Sequence, residues 1–551
     1  MIRRSIIGFS VVGFAATIVA ATRGAPDLEG DWAGVITIGG HASPVRAHFG
    51  SAAAAGVSGS IDLFGDATGA DLRSIRVSGD SFTATIPLRL TGPTEIRARV
   101  TGDTMSGVVT RGNQTGTIRL LHLAPLDTAA AHQDEGLYVA GSDTLIVDRV
   151  TPNLLSLVEP TAHAIRILYP VGTNEYIAGP TLFGALPERL HVRIRDEATD
   201  AATLTLVRDR RTITAQRVPL HIEEVSFKND TVSLTGAFIR PPGAGRYPVV
   251  VHLHGSGSSI RTSHLGIAYY LAAHGIASLI YDKRGTPGST GTLAWARYED
   301  LAGDAVAGAE MLMTRSDVDT NYIGFEGISE GAGTSERAAA IFRRSAFVIP
   351  ISGGPLAANV WEYYEAANQL ITDGRFSARD TAAAMSFLRA RDYYARTRRG
   401  WSTYDSLVKV AVAPGSKWFG YATTDLFGWA KPNSVGWDQK ALTYFDDPLP
   451  TLRTIRCPVL SINGEYDTPP ALAIAVPLMQ RAFAEGGNRD VTIRIFPHAN
   501  HNLFLTKSSN EHEMDNVSAF SPEFFPLVTS WIESKVRAQP HARTAPVDST
   551  W

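Results

Sequence analysis

The sequence predicts an α/β protein: a doubly wound, mostly parallel sheet carrying a helical lid, preceded by two small all-β modules. Three observations predict it. Residues 247–253, Tyr-Pro-Val-Val-Val-His-Leu, are apolar without alternation, the pattern of a parallel strand covered on both faces. After Ala277, apolar runs alternate with helix-forming runs, the signature of a doubly wound sheet. Before Glu223 the apolar residues recur every second position between Gly, Asp, Asn and Thr, as in antiparallel strands joined by turns.

With 551 residues the chain exceeds one ordinary core, and about two to four domains are expected. A hydrophobic content of 44%, a charged content of 19% and a net charge of -3 describe a globular chain with no basic face for a polyanion, so no nucleic-acid partner is expected. A single cysteine, Cys457, excludes a disulfide within the chain. Its setting in Cys457-Pro-Val-Leu-Ser-Ile462 reads as a packed strand residue.

Residues 1–25 read as a signal peptide, with Arg3 and Arg4, an apolar run from Ile6 to Val19 and small residues at Ala20, Ala21, Gly24 and Ala25. An exported protein, periplasmic or extracellular, follows, with no stable membrane insertion after cleavage. The rival is an uncleaved N-terminal anchor, which Ser10, Gly13 and Thr17 interrupt. Residues 27–125 form a β-barrel or sandwich module, with strands at 34–38, 81–87, 95–100 and 115–121. Residues 126–222 form a second β-rich module, with strands at 137–139, 145–147, 165–170, 190–194 and 202–207. The first carries no acid, base or metal-ligand cluster; for the second, a scaffold that packs on the catalytic domain is the expected role, with carbohydrate or substrate binding as the alternative.

The catalytic domain spans 223–354 and 451–537, interrupted at 355–450 by an insertion with helices at 359–372 and 379–396 and an aromatic run from Trp418 to Trp437. That point lies above the carboxyl edge of the sheet, where open α/β sheets bind ligands. The insertion reads as a lid, and residues 538–551 as a flexible tail.

Chemistry gathers in four strand-end loops. Gly327-Ile-Ser329-Glu-Gly331 follows an apolar strand and opens an Ala-rich helical run, the strand, turn and helix of a nucleophile elbow, which makes Ser329 a candidate nucleophile. His254-Gly-Ser256-Gly follows the buried strand, and its backbone N–H groups can face an oxyanion; the Ser256 and Glu330 N–H groups are the two expected donors. The Glu330 carboxylate is expected to face outward in the first helical turn. In Asn463-Gly-Glu465-Tyr-Asp467, Asp467 is the expected orienting acid and Glu465 its alternative; in His498-Ala-Asn-His501, His501 is the expected base, anchored by Leu503 and Phe504. The chain order Ser329, Asp467, His501 is that of Ser-Asp-His hydrolases. No metal or organic cofactor is required, and His252 with His254 make a poor metal pair for want of a carboxylate motif.

These motifs, with Tyr-Asp-Lys-Arg-Gly-Thr-Pro-Gly-Ser at 281–289 and Cys-Pro-Val-Leu-Ser-Ile-Asn-Gly-Glu-Tyr-Asp at 457–467, make residues 223–535 resemble an α/β-hydrolase of the esterase and serine-aminopeptidase or dipeptidyl-peptidase-like type. The resemblance implies a Ser329–Asp467–His501 triad and a structural role for Asp282 and Arg284. The expected substrate is a small-molecule ester or, alternatively, a short peptide whose amino terminus Glu362, Glu365 or Asp373 would hold. A non-catalytic binding protein on the same scaffold is the reading from another class.

Overall fold

The computed structural model describes residues 28–50, 57–63, 67–88, 92–151, 154–186, 190–195, 202–413, 415–419, 432, 434–510 and 517–537. The signal segment, the C-terminal tail and most of the aromatic run after Trp418 lie outside them.

Residues 30–122 fold as one nine-stranded antiparallel sheet, with Trp32, Phe49 and Phe82 buried in its core. Residues 136–217 close into an eight-stranded antiparallel barrel filled by its own side chains, among them Tyr138, Leu157, Tyr176 and Leu206. Closure removes every sheet edge.

The third sheet has eight strands: β1 (His221–Asn229), β2 (Val232–Arg240), β3 (Tyr247–Leu253), β4 (Ala277–Tyr281), β5 (Val318–Ile328), β6 (Val348–Ile351), β7 (Val459–Gly464) and β8 (Val491–Phe496). Their spatial order is β1-β2-β4-β3-β5-β6-β7-β8. The β1–β2 and β2–β4 pairs are antiparallel and all later neighbours are parallel. Helices α1 (Leu265–Ala273), α2 (Tyr298–Leu312) and α3 (Glu330–Ile341) make the first crossovers. Val249 and Val251 of β3 pack with α2 in one core layer, while Val250 packs with Leu271 of α1 in the layer on the opposite face. That division explains the unalternating sequence of β3. Because β3 lies between β4 and β5, strand order reverses beside it, and the loops after β3 and β5 flank the crevice where open α/β sheets bind ligands.

Between β6 and β7 stand α4 (Ala358–Thr372), α5 (Ala378–Thr397), α6 (Trp401–Ala411) and α7 (Val435–Tyr444). They bury a core of their own around Phe387, Tyr394, Tyr404, Trp418 and Trp437. The short α8 (Leu449–Leu452) follows, then α9 (Pro469–Glu485) and α10 (Phe524–Arg537). The barrel packs Leu137, Ile146 and Val158 against Ile239, Leu265 and Tyr269 of the eight-stranded unit. At that contact the half-buried Asp148 sits against Gly266, and desolvation pushes its carboxyl up to about 7.

Cys457 differs from its sequence reading. It is buried, but in the bend ahead of β7 rather than in the strand.

Candidate active site

β5 ends at Ile328, α3 begins at Glu330, and Ser329 turns the chain between them at φ 60°, ψ -119°. A non-glycine residue in that region stores strain that its surroundings must hold. Here the Ser329 N–H donates to Ile351 O of β6 at 2.9 Å. The flanking glycines permit the close approach: a Cβ on Gly327 would stand 2.2 Å from Gly331 O, and one on Gly331 2.4 Å from Leu253 O of β3. Local sequence thus sets the elbow, and packing against β3 and β6 fixes where its hydroxyl emerges.

The loop after β3 runs His254, Gly255, Ser256, Gly257, with Gly257 at φ 80°. His254 is buried, edge-on to Tyr281 with ring centroids 5.0 Å apart. Burial, then the nearby His264 and Lys283, hold its imidazole well below the ordinary histidine range. It is therefore a neutral packing group. Ser256 lies at the site, where Ser329, Glu330 and His501 line the same cavity of about 430 Å³.

The loops after β7 and β8 meet because Gly464 has no side chain; a Cβ there would stand 2.3 Å from Ala499 O. The Tyr466 N–H donates to Ala499 O at 2.7 Å, tying the two loops. This contact sets Asp467 Oδ1 3.0 Å from His501 Nδ1, with the aspartate side chain 2% exposed and the histidine 39%. Glu465 serves another partner: its Oε2 accepts the His498 backbone N–H at 2.8 Å, and the His498 ring faces the Tyr466 hydroxyl at 3.0 Å. Leu503 is buried below the histidine loop and Phe504 packs beside it.

The Glu330 carboxylate departs from its sequence reading. Rather than facing outward, its Oε1 accepts from Lys283 Nζ at 2.5 Å, and Lys283 also donates to Gly255 O at 2.7 Å and Gly257 O at 3.2 Å. No local signal reveals this link, which joins residues 47 positions apart. Asp282 and Arg284 make structural bonds: Asp282 Oδ1 accepts the Arg261 N–H at 2.9 Å, and Arg284 forms a two-point pair with Asp304 at 2.6 and 2.7 Å.

His252 does have a carboxylate beside it, which its sequence context did not reveal. Glu326, its register partner on β5, sits 2.6 Å from His252 Nδ1, and Ser278 Oγ lies 3.0 Å from Nε2. His264 brings a third ligand-type atom within 4.8 Å of these two. With both His252 nitrogens engaged, the cluster forms a buried polar network across three strands.

The rest of the cavity wall is largely polar. Trp361, Glu362 and Glu365 of α4 line it, with Tyr298, Arg337 and Asp446. Trp418 and Trp437 belong instead to the insertion's own core. Glu362 is joined to the buried Arg391 through two hydrogen bonds of 2.9 and 3.0 Å, whereas Asp373 pairs with its neighbour Arg375 and is absent from the cavity lining.

Residues 230–476 match the X-Pro dipeptidyl-peptidase (S15) family, a span that stops before His501. Esterase EstD of Thermotoga maritima is 29% identical over 122 residues, covering 20% of this chain and 30% of the esterase. The chain thus spans about a third of that relative's length. Among solved structures, a dienelactone hydrolase from Anabaena variabilis is 17% identical, covering 57% of this chain and 98% of its own, with a TM-score of 0.33. An esterase from Pyrococcus furiosus is 18% identical, covering 58% and 91%, with a TM-score of 0.34. Sheet order, family match and relative point to an α/β-hydrolase of esterase or peptidase character.

Proposed function

We propose that the protein is a serine hydrolase that cleaves carboxylic esters through an acyl-enzyme. The observation that carries this reading is the convergence of Ser329, at the strained turn, and His501, backed by Asp467, on one cavity. Ser329 Oγ attacks the ester carbonyl while His501 takes its proton and Asp467 holds the imidazole. The Ser256 and Glu330 N–H groups stabilise the tetrahedral oxyanion; Glu330 opens α3, where first-turn N–H groups lack intrahelical acceptors. His501 then protonates the leaving alcohol, and water activated by His501 releases the acid.

In the same proposal, the α4–α7 insertion acts as a lid, the two N-terminal β units are scaffold, and the protein is exported. No helix of the described residues is long and apolar enough to cross a membrane.

A second reading, a peptidase that holds a substrate's amino terminus, draws on Glu362 and Glu365, which line the cavity with Ser329. Turnover of an aminoacyl p-nitroanilide is to be compared with that of an ester carrying the same acyl group and with its N-acetylated form. Faster ester turnover, indifferent to N-acetylation, fits the esterase; anilide cleavage that N-acetylation abolishes replaces it with the peptidase.

A further inference from the structure

One buried cation joins the two chain segments that carry the proposed oxyanion donors. Lys283 leaves the end of β4 with its side chain 4% exposed. Its Nζ reaches Gly255 O and Gly257 O of the loop after β3 and the Glu330 carboxylate beside the nucleophile. All three protons of an ammonium are matched by three acceptors.

The geometry of the peptide unit gives this tripod a consequence. Gly255 O and the Ser256 N–H belong to one planar trans unit and point in opposite directions. Fixing the oxygen on Nζ aims the N–H away from Lys283. Glu330 supplies the other donor, and its side chain is held by the same ammonium. A cation on the carbonyl also draws charge from the amide and strengthens its N–H as a donor. Two further bonds keep the lysine in register, since the Lys283 N–H donates to Ser259 O at 3.1 Å and the Asp282 carboxylate accepts the Arg261 N–H. His254, neutral next to this corner, leaves the positive charge to Lys283.

We propose that Lys283 is a positioning residue for transition-state stabilisation: it orients both oxyanion donors and charges one of them without touching substrate. This rests on the serine-hydrolase reading above. The Glu330 carboxylate balances a charge whose burial alone is unfavourable. Arginine, a planar fork, cannot present the same tripod.

The test measures ester hydrolysis, thermal stability and the second-order rate of fluorophosphonate labelling for wild type, Lys283→Met, Lys283→Arg and Glu330→Gln. Loss of one oxyanion donor lowers kcat roughly 10²–10³-fold. Folded Lys283→Met is expected to lose about 10²-fold in kcat and in labelling rate, with KM within about threefold of wild type, because the lost interaction acts in the transition state. Lys283→Arg fails to restore kcat, and Glu330→Gln, which cuts the ionic tether alone, loses about tenfold. A folded Lys283→Met with unchanged kcat and labelling rate, or with its loss confined to KM, overturns the inference. If Lys283→Met does not fold, unchanged kcat in Glu330→Gln overturns it instead. Failure of wild type to label at Ser329 overturns the serine-hydrolase reading and this inference with it; normal wild-type labelling separates the two failures.

Discussion

His501 Nδ1 stands 3.0 Å from Asp467 Oδ1, while Glu465, two residues earlier in the same loop, accepts instead from the His498 main chain. Two acids and two histidines compete in sequence, and the fold sorts them by burial. Asp467 is enclosed where its charge can act on the ring, and Glu465 is half-exposed. Asp467→Asn is expected to lower kcat by roughly 10³–10⁴-fold, the scale of losing tautomer control and imidazolium stabilisation. Glu465→Gln and His498→Gln should stay within about threefold of wild type, since both act outside the cavity wall. Steady-state kinetics on the three variants checks this; a large loss in Glu465→Gln alone would exchange the two acids.

Gly331 is where β3 and the elbow touch, and its missing Cβ is what permits the contact. Gly331→Ala must displace the Leu253 and His254 carbonyls, at a cost of roughly 1–3 kcal/mol for overpacking. Chemical denaturation is expected to show that loss, with activity falling further than stability because the displaced segment leads into the loop bearing Ser256, the proposed oxyanion donor. Wild-type stability in this variant would mean that the elbow has slack the packing does not suggest.

Glu336 lies on α3 at 2% exposure, and burial pushes its carboxyl up to about 8 from an ordinary 4.5. Between those values the unfolded chain releases the proton and the folded chain keeps it. The native state therefore binds more protons, and this group removes stability as pH rises from about 4.5 to about 8, with no further change above. Glu336→Gln keeps the shape without the titration. Its melting temperature should exceed wild type by a few degrees at pH 8 and converge with it near pH 4.5. Equal melting curves at both pH values would count against a buried neutral carboxyl.

The buried pair of Arg284 and Asp304 anchors the loop after β4 to α2. Arg284→Met leaves a carboxylate with a side chain 1% exposed facing an apolar stem, and breaking such a pair costs about 3–5 kcal/mol. Reduced denaturation midpoints are expected, with KM unchanged in whatever fraction remains folded. An unchanged midpoint would place the pair among those that contribute little.

Much of this architecture could be read from residues, and the limits are physical. β3 and β4 are covered on both faces, so near-continuous apolar runs located them, whereas the edge strand β8 alternates apolar residues with Thr492 and Arg494. The elbow and the loops bearing Ser256, Asp467 and His501 are each short segments after a strand, and the parallel pairing of β3 to β8 puts the carboxyl ends of those strands on one edge. Other features arise from long-range pairing that no local window contains. The barrel strand Leu154–Glu159 carries Leu-Leu-Ser-Leu-Val-Glu, which lacks a clean alternation because several of its residues are buried on both sides. Lys283 and Glu330, and His252 and Glu326, meet only once β3, β4 and β5 are adjacent. The aromatic residues of the insertion were visible, but which core they entered depended on how α4–α7 pack on one another.

The most direct test of the central claim is covalent labelling of the wild-type protein and of Ser329→Ala by a fluorophosphonate, with the labelled peptide located by mass spectrometry and hydrolysis of a short p-nitrophenyl ester followed in parallel. The account predicts one label on Ser329 in wild type, none in Ser329→Ala, and loss of hydrolysis in a variant that still folds. Retained turnover in Ser329→Ala, or a wild-type protein that neither labels nor hydrolyses any ester or aminoacyl anilide, would contradict it and leave a binding protein on a hydrolase scaffold.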